Sequence, residues 1–376
     1  MSKAQALCLF LANVSAHVQQ GRIYLASNRI EQAKTKFSTV LAEIEPIVSR
    51  ESSLLQVQTH LLLAKAKPSV PIEHVHVAGN NDFMRPLGPP EGRGGFRPGG
   101  PNGRPRRNIP ESQRDELGER KRGERQKRNV EHRRLATLHA TTALSILDEL
   151  MKASPNSESL RYLRALCLQQ LAGPGLIDEN DPNDQGKMAV DILKQLCEES
   201  KEAKRGSSLP YQFELSETYR NFNARQLDEF SIDPAKTQLH KAREISESLV
   251  EQHDQVALYR INLAHIYANL SMLYERQRDL RTAELYSRKA VDAHHFVAKH
   301  FPGLKSISRS LLAGPSFALS RMLRNIDEDL DALIVLATLE KELKKQIADP
   351  NVDEALKEKA AKELEVCEKL MEEIDL

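Results

Sequence analysis

Apolar residues in this sequence recur mainly at intervals of three and four positions. This spacing places apolar side chains on one face of a helix, whereas a half-buried strand would alternate apolar and polar residues. No stretch alternates convincingly, and Leu, Ala, Glu, Lys and Arg dominate, which favours helix over strand. The sequence therefore predicts an all-α protein. One of the clearest helical stretches carries Ile30, Ala33, Phe37, Val40, Leu41 and Ile44.

Residues 68–109 interrupt this helical pattern. They hold most of the Pro–Gly clusters of the chain and little apolar periodicity, which is typical of a disordered insertion. The highly charged residues 114–134 lack proline and fit a solvated helix that leads into the next apolar pattern. We therefore divide the chain into a helical unit (1–67), a disordered basic insertion with a charged linker (68–130), a helical array (131–312) and acidic capping helices (313–376).

Charge is distributed unevenly along a chain whose net charge is only +1. Residues 85–134 carry 15 Lys and Arg against 7 Asp and Glu, whereas residues 327–376 carry 7 Lys against 16 Asp and Glu. Such asymmetry can indicate a polyanion partner, or two solvated surfaces that attract each other. The last predicted helix is acidic but has an apolar stripe that requires a packing neighbour: Leu356, Ala360, Leu364, Cys367, Met371 and Ile374.

Two segments of the chain, 17–37 and 267–287, align with each other. Each places a Tyr nine residues before an Ala, with Ile or Leu three residues before that Ala. The pattern resembles the tetratricopeptide repeat, a helix–turn–helix unit of roughly 34 residues. The matching positions are Gly21, Tyr24, Ala33 and Phe37 in the first segment, and Tyr267, Leu270, Tyr274 and Ala283 in the second. Departures from the pattern include His17, Gln20 and Ser287.

The resemblance implies an α-solenoid that binds other proteins without catalysis. Partner peptides or helices would dock on the face lined by the first helix of each unit. The side chains we expect to be exposed there are Gln19, Arg22, Asn262, His265 and Asn269. The long helices are also similar to repeat regions attached to bacterial Ser/Thr kinases and to sigma-factor partners. That similarity implies a signalling role, although the sequence has no kinase, sigma or zinc-finger motif.

Sequence signatures of catalysis are absent. The chain has no phosphate-binding GxxxxGK[ST] loop, no GxGxxG after a strand and no GxSxG turn. The histidines form no group with the three or four ligands that a metal site needs, so we expect neither a metal nor a cofactor. Abundant carboxylates fall on helix starts or polar faces, where solvation explains them. We predict that the protein is not an enzyme.

The insertion contains an RGG-like step, Arg93-Gly-Gly-Phe96-Arg97, followed by further arginines at Arg104, Arg106 and Arg107. Arginine can pair with phosphate and an aromatic ring can stack on a base, so these residues are candidates for polyanion binding. The step occurs once, and acidic residues dilute the positive field of the region. A flexible spacer is the simpler interpretation. Nucleic acid and the acidic tail remain alternative partners for this segment.

Cellular location follows from two features of the sequence. No run approaches the roughly 18 apolar residues of a membrane span, and only Lys3 precedes the short apolar start. The four cysteines, Cys8, Cys167, Cys197 and Cys367, are widely spaced and lie in helical patterns, as buried free thiols in a reducing compartment would. If Met1 is the natural start, we expect a cytoplasmic protein.

Overall fold

A computed structural model describes residues 30–44, 50–65, 111–172, 184–202, 208–223, 232–301, 304–352 and 354–374. Regular secondary structure in these ranges is helical, which confirms the predicted all-α class. The predicted Pro/Gly/Arg-rich insertion lies outside the described residues, and the charged stretch after it is helical from Glu111.

The described residues form twelve helices in chain order. The first three are α1 (Ile30–Ile44), α2 (Arg50–Lys65) and α3 (Glu111–Ala153). The middle of the chain forms α4 (Glu158–Ala172), α5 (Gln185–Glu202), α6 (Leu209–Asn223) and α7 (Ile232–Gln252). The remainder forms α8 (Ala257–Arg276), α9 (Leu280–His300), α10 (Lys305–Asn325), α11 (Asp329–Ala348) and α12 (Glu354–Ile374).

The chain divides into two compact units, 1–69 with 77–143 and 70–76 with 144–376. In the first unit, α1 packs against α2 and buries Phe37, Val40 and Val57. His60 on α2 contacts His139 on α3, and their Nδ1 atoms lie 3.0 Å apart. Burial, together with the neighbouring His139, lowers the pKa of His60 to about 4, so the two rings meet as neutral groups near pH 7.

The second unit is an α-solenoid of TPR-like helix pairs. Each helix from α4 onward packs against the next one. The even-numbered helices also contact each other, α6 with α8, α8 with α10 and α10 with α12, so they form the inner row. These helices begin at Leu209, Ala257, Lys305 and Glu354, a period of 48 to 49 residues. The repeat is longer than the usual unit of roughly 34 residues because its helices run to about 20 residues each.

Two successive pairs are closed by the same turn. After α8, Arg278 has φ 62°, and the N–H of Asp279 donates to the carbonyl of Tyr274. After α10, Asp327 has φ 61°, and the N–H of Glu328 donates to the carbonyl of Leu323. These are Schellman turns, in which a left-handed residue satisfies the last carbonyls of a helix. The turn therefore repeats beyond the predicted boundary at 312/313, which lies within α10.

A serine on the inner helix meets an alanine on the following helix in two pairs. Ser216 Oγ donates to the carbonyl of Ala242 at 3.0 Å, and Ser271 Oγ donates to that of Ala283 at 2.8 Å. Both alanines are fully buried. A larger side chain at these positions would hold the two helices apart, which explains the small residue in the repeat pattern.

The acidic α12 packs against α11, so its apolar stripe has a neighbour. Ala360 and Cys367 are buried there, and Leu364, Met371 and Ile374 are partly buried against the same cluster. The sulfhydryl of Cys367 donates to the carbonyl of Leu336. Cys167 and Cys197 are also buried and form no disulfide, and burial raises the pKa of Cys197 to about 11. Cys8 lies outside the described residues.

Candidate functional site

The side chain of Asn262 is buried, so the expectation from the sequence that it is exposed is wrong. Its side chain is 2% exposed, and its amide donates to Ser216 Oγ at 3.2 Å and to Ser246 Oγ at 3.1 Å. The two serine hydroxyls lie 2.6 Å apart. The three residues come from α6, α7 and α8, and we call them the polar seam. Because buried polar groups need partners, the seam fixes how these three helices meet.

His265 and Asn269 are half-buried on the inner side of α8. Arg220 on α6 donates to His265 Nδ1 at 3.2 Å and also to Glu217 at 2.8 Å. Further along the inner row, Arg321 on α10 donates through two nitrogens to both carboxylate oxygens of Glu275, at 2.9 and 2.8 Å. These charged groups hold neighbouring even-numbered helices together rather than projecting toward an open site.

The remaining predicted site residues fall into two groups. Phe37, Tyr267, Leu270, Tyr274 and Ala283 are buried, and Ala33 lies in α1. The other group lies outside the described residues: Gln19, Gly21, Arg22, Tyr24, Arg93, Arg97, Arg104, Arg106 and Arg107. The polyanion-binding role of the insertion arginines therefore stays a prediction.

The structure reveals an open groove elsewhere, between the odd-numbered helices α7 and α9. Its volume is about 680 Å³. We call it the outer groove. The end of α7 and the residues just after it form one wall and α9 forms the other, while α8 and Val250 of α7 form the floor. Its lining residues are Glu247, Val250, Glu251, Asp254, Arg260, Leu263, Tyr267, Lys289, Asp292, Ala293 and Phe296.

The floor of the outer groove is apolar, and burial, a hydrogen bond and a ring contact hold its side chains in place. Val250, Leu263 and Tyr267 are each less than 10% exposed. The Tyr267 hydroxyl donates to Glu247 at 2.8 Å, and its ring lies 5.9 Å from that of Tyr286. Burial and the Glu247 contact raise the pKa of Tyr267, so it remains a protonated donor.

The two cations of the groove lie over aromatic rings. The Arg260 guanidinium is 3.8 Å from the centre of the Phe296 ring, which joins α8 to α9. The Lys289 ammonium is 5.4 Å from the Tyr267 ring and 5.7 Å from the Tyr286 ring. Such cation–π contacts stabilise the positive charges without a carboxylate partner.

Three carboxylates that line the groove form no ion pair among the described residues. Glu251 and Asp254 are on the α7 side and Asp292 is on the α9 side, and all three are exposed. None forms an ion pair with another of the residues that the structure describes. The outer groove therefore combines an apolar floor with negative charge available on both walls.

The sequence reasoning missed the outer groove because three separate segments build it. Residues 247–254, 260–267 and 289–296 converge only after the helix pairs stack. From the sequence alone, each segment is predicted to be part of an amphipathic helix with a solvated charged face. The cation–π and Tyr–Glu contacts that fix the walls are tertiary, and local periodicity does not predict them.

Two solved structures are similar to this chain over most of its length. RapI in its apo form aligns with 95% of this chain and 81% of its own, at 11% identity and a TM-score of 0.41. A monomeric mutant of IFIT1 with the capped RNA m7Gppp-AAAA aligns with 95% and 90%, at 13% identity and a TM-score of 0.24. Because both scores are below 0.5, the fold assignment rests on the helices of this chain itself.

No protein-family model matches the sequence, and no curated protein is significantly similar to it. Among the described residues, no three His, Cys, Asp or Glu side chains are grouped to hold a metal ion. Within the same ranges, no helix has the length and apolar character needed to cross a membrane.

Proposed function

We propose that this protein is a non-enzymatic adaptor that binds a peptide or helix of a partner protein in the outer groove. The observation that carries the proposal is the open groove, in which three exposed carboxylates without an ion pair among the described residues lie beside a buried apolar floor. Peptide recognition by helical proteins commonly uses an apolar groove for affinity and polar groups around it for specificity.

The polar residues of the inner row already have partners within the fold, which favours the outer groove as the binding site. Asn262 is occupied in the polar seam, and Arg220 and Arg321 are occupied in contacts between even-numbered helices. A ligand there would have to displace existing hydrogen bonds and ion pairs. In the outer groove, Glu251, Asp254 and Asp292 can gain a partner without losing one among the described residues.

Site-specific crosslinking tests the adaptor function in cells of the source organism. A photo-crosslinking amino acid replaces Asp254 in the groove, and the matched control carries it at Glu365, an exposed position on α12. We expect a discrete protein adduct from position 254 and none from position 365. Equal adducts from both positions, or none from position 254, would contradict the proposal.

The same experiment addresses the finer predictions from the sequence. Mass spectrometry of the adduct would show whether the partner is a kinase, a sigma factor or a protein outside signalling. RNA or DNA recovered with the chain, and lost when residues 68–110 are deleted, would instead favour the nucleic-acid role of the insertion.

A further inference from the structure

The charge distribution of the outer groove indicates which partner chemistry it accepts. We propose that the groove binds a partner segment in which one apolar side chain is flanked by Lys or Arg; this rests on the adaptor function proposed above. The apolar side chain lies on the floor, and the flanking cations face the carboxylates of the two walls.

The floor provides the apolar part of this recognition. Val250 and Leu263 are almost fully buried below the opening, whereas Ala293 and Phe296 are half-buried in the α9 wall. An apolar side chain placed here removes its own surface and that of Phe296 from water, which favours binding.

The walls provide the charged part. Glu251 and Asp254 face the groove from one side and Asp292 from the other, so cations on both sides of an apolar anchor meet a carboxylate. Glu247, the fourth carboxylate, accepts from Tyr267 and is therefore occupied. The lining has four carboxylates against the two cations Arg260 and Lys289, so its formal charge is negative.

An acidic partner segment fits this arrangement poorly. It would bring negative charge near three carboxylates that have no described cationic partner. Like charges placed opposite each other at an interface discriminate strongly against the wrong partner. The groove therefore selects by charge sign as well as by apolar content.

Three fluorescent peptides test the chemistry against the full-length protein by fluorescence anisotropy. The basic–aromatic probe is GSRRFRRSG, the charge-reversed probe is GSEEFEESG, and the probe without an anchor is GSRRSRRSG. We expect the first to bind at least about tenfold more tightly than the other two, and its affinity to fall as NaCl rises. Tighter binding of GSEEFEESG, or equal binding of all three, would overturn the proposal.

Charge reversal locates the binding. The double variant Asp254→Lys with Asp292→Lys should weaken binding of GSRRFRRSG by more than about tenfold. The matched control, Glu365→Lys with Glu372→Lys, changes net charge equally on exposed positions of α12 and should leave affinity within about twofold. Thermal unfolding followed by circular dichroism verifies that both variants fold. An equal loss in both variants would show non-specific attraction and overturn the proposal.

The outcomes separate this proposal from the adaptor function. If position 254 crosslinks a partner but the basic–aromatic probe shows no preference, the adaptor function stands and the assigned chemistry is wrong. If the probe binds the groove but position 254 captures no partner, the groove has the assigned chemistry and the proposed adaptor function is wrong.

Discussion

The side chains of the polar seam come from α6, α7 and α8, whereas the exposed carboxylates of the outer groove come from the end of α7 and from α9, and the two sets differ in their partners. Asn262, Ser216 and Ser246 are buried and hydrogen-bonded to one another. Glu251, Asp254 and Asp292 are exposed and without ion pairs among the described residues. The difference shows that a polar residue on a repeat helix can either hold helices together or remain available to bind a partner protein. Its hydrogen bonds and ion pairs within the fold distinguish the two roles.

Replacing Asn262 by Ala gives the largest effect that we expect from this comparison. The change removes two buried hydrogen bonds and leaves a small cavity among α6, α7 and α8. The free energy of unfolding should fall by about 2 kcal/mol, since buried polar partners lose a donor. Urea denaturation measures it.

Binding of GSRRFRRSG to the folded Asn262→Ala variant should remain unchanged, because Asn262 does not line the outer groove. The control Asn269→Ala removes a half-buried amide from the same helix and should cost less stability. Weakened binding with unaltered stability would restore the sequence-based view of Asn262 as a partner-binding residue.

A substitution at Arg260 tests the charge of the outer groove in the same comparison. Arg260→Met keeps much of the side-chain bulk but removes the charge over Phe296. Stability should fall by about 1 kcal/mol, the usual size of a partly buried cation–π contact. The groove becomes more negative, so the basic–aromatic probe should bind about twofold to threefold more tightly.

Denaturation and anisotropy measure the two effects of Arg260→Met, with Lys299→Met, an exposed change on α9, as the control. The control should leave stability and binding nearly unaltered. Weaker binding of the basic probe to the Arg260→Met variant would mean that Arg260 supports binding, and would contradict the expectation that its positive charge opposes the probe.

The sequence predicted the helices of this fold well but not the partners of their polar residues. Apolar spacing located α8, yet the buried residues cover a wide arc of this helix, from Ile266 through Leu263 to Ala264. A polar residue beside this arc, such as Asn262, therefore faces another helix instead of solvent. Local periodicity gives the strongest apolar face of a helix, whereas the number of helices packed around it is a tertiary property.

The departures from the repeat pattern have physical reasons that are visible only after folding. Ser287 stands where the tetratricopeptide pattern has an aromatic residue, and its hydroxyl donates to the carbonyl of Pro315 on α10 at 3.2 Å. In the α10–α11 pair, Leu323 rather than Tyr precedes the turn, so the sequence signature fades. The Schellman geometry is nevertheless the same as after α8, because the turn depends on the backbone and not on that side chain.

The smallest effect that we expect concerns the exposed ion pair on the inner row. Arg321→Ala removes a two-point contact with Glu275, but both groups are partly solvated, with 43% and 17% of the side chains exposed. Stability should fall by no more than about 1 kcal/mol, and the loss should shrink at high salt. Urea denaturation at low and high NaCl measures it, and a double-mutant cycle with Glu275→Ala isolates the pair. If Arg321→Ala weakens peptide binding more than Asp254→Lys with Asp292→Lys does, the inner row is the recognition surface and the comparison is reversed.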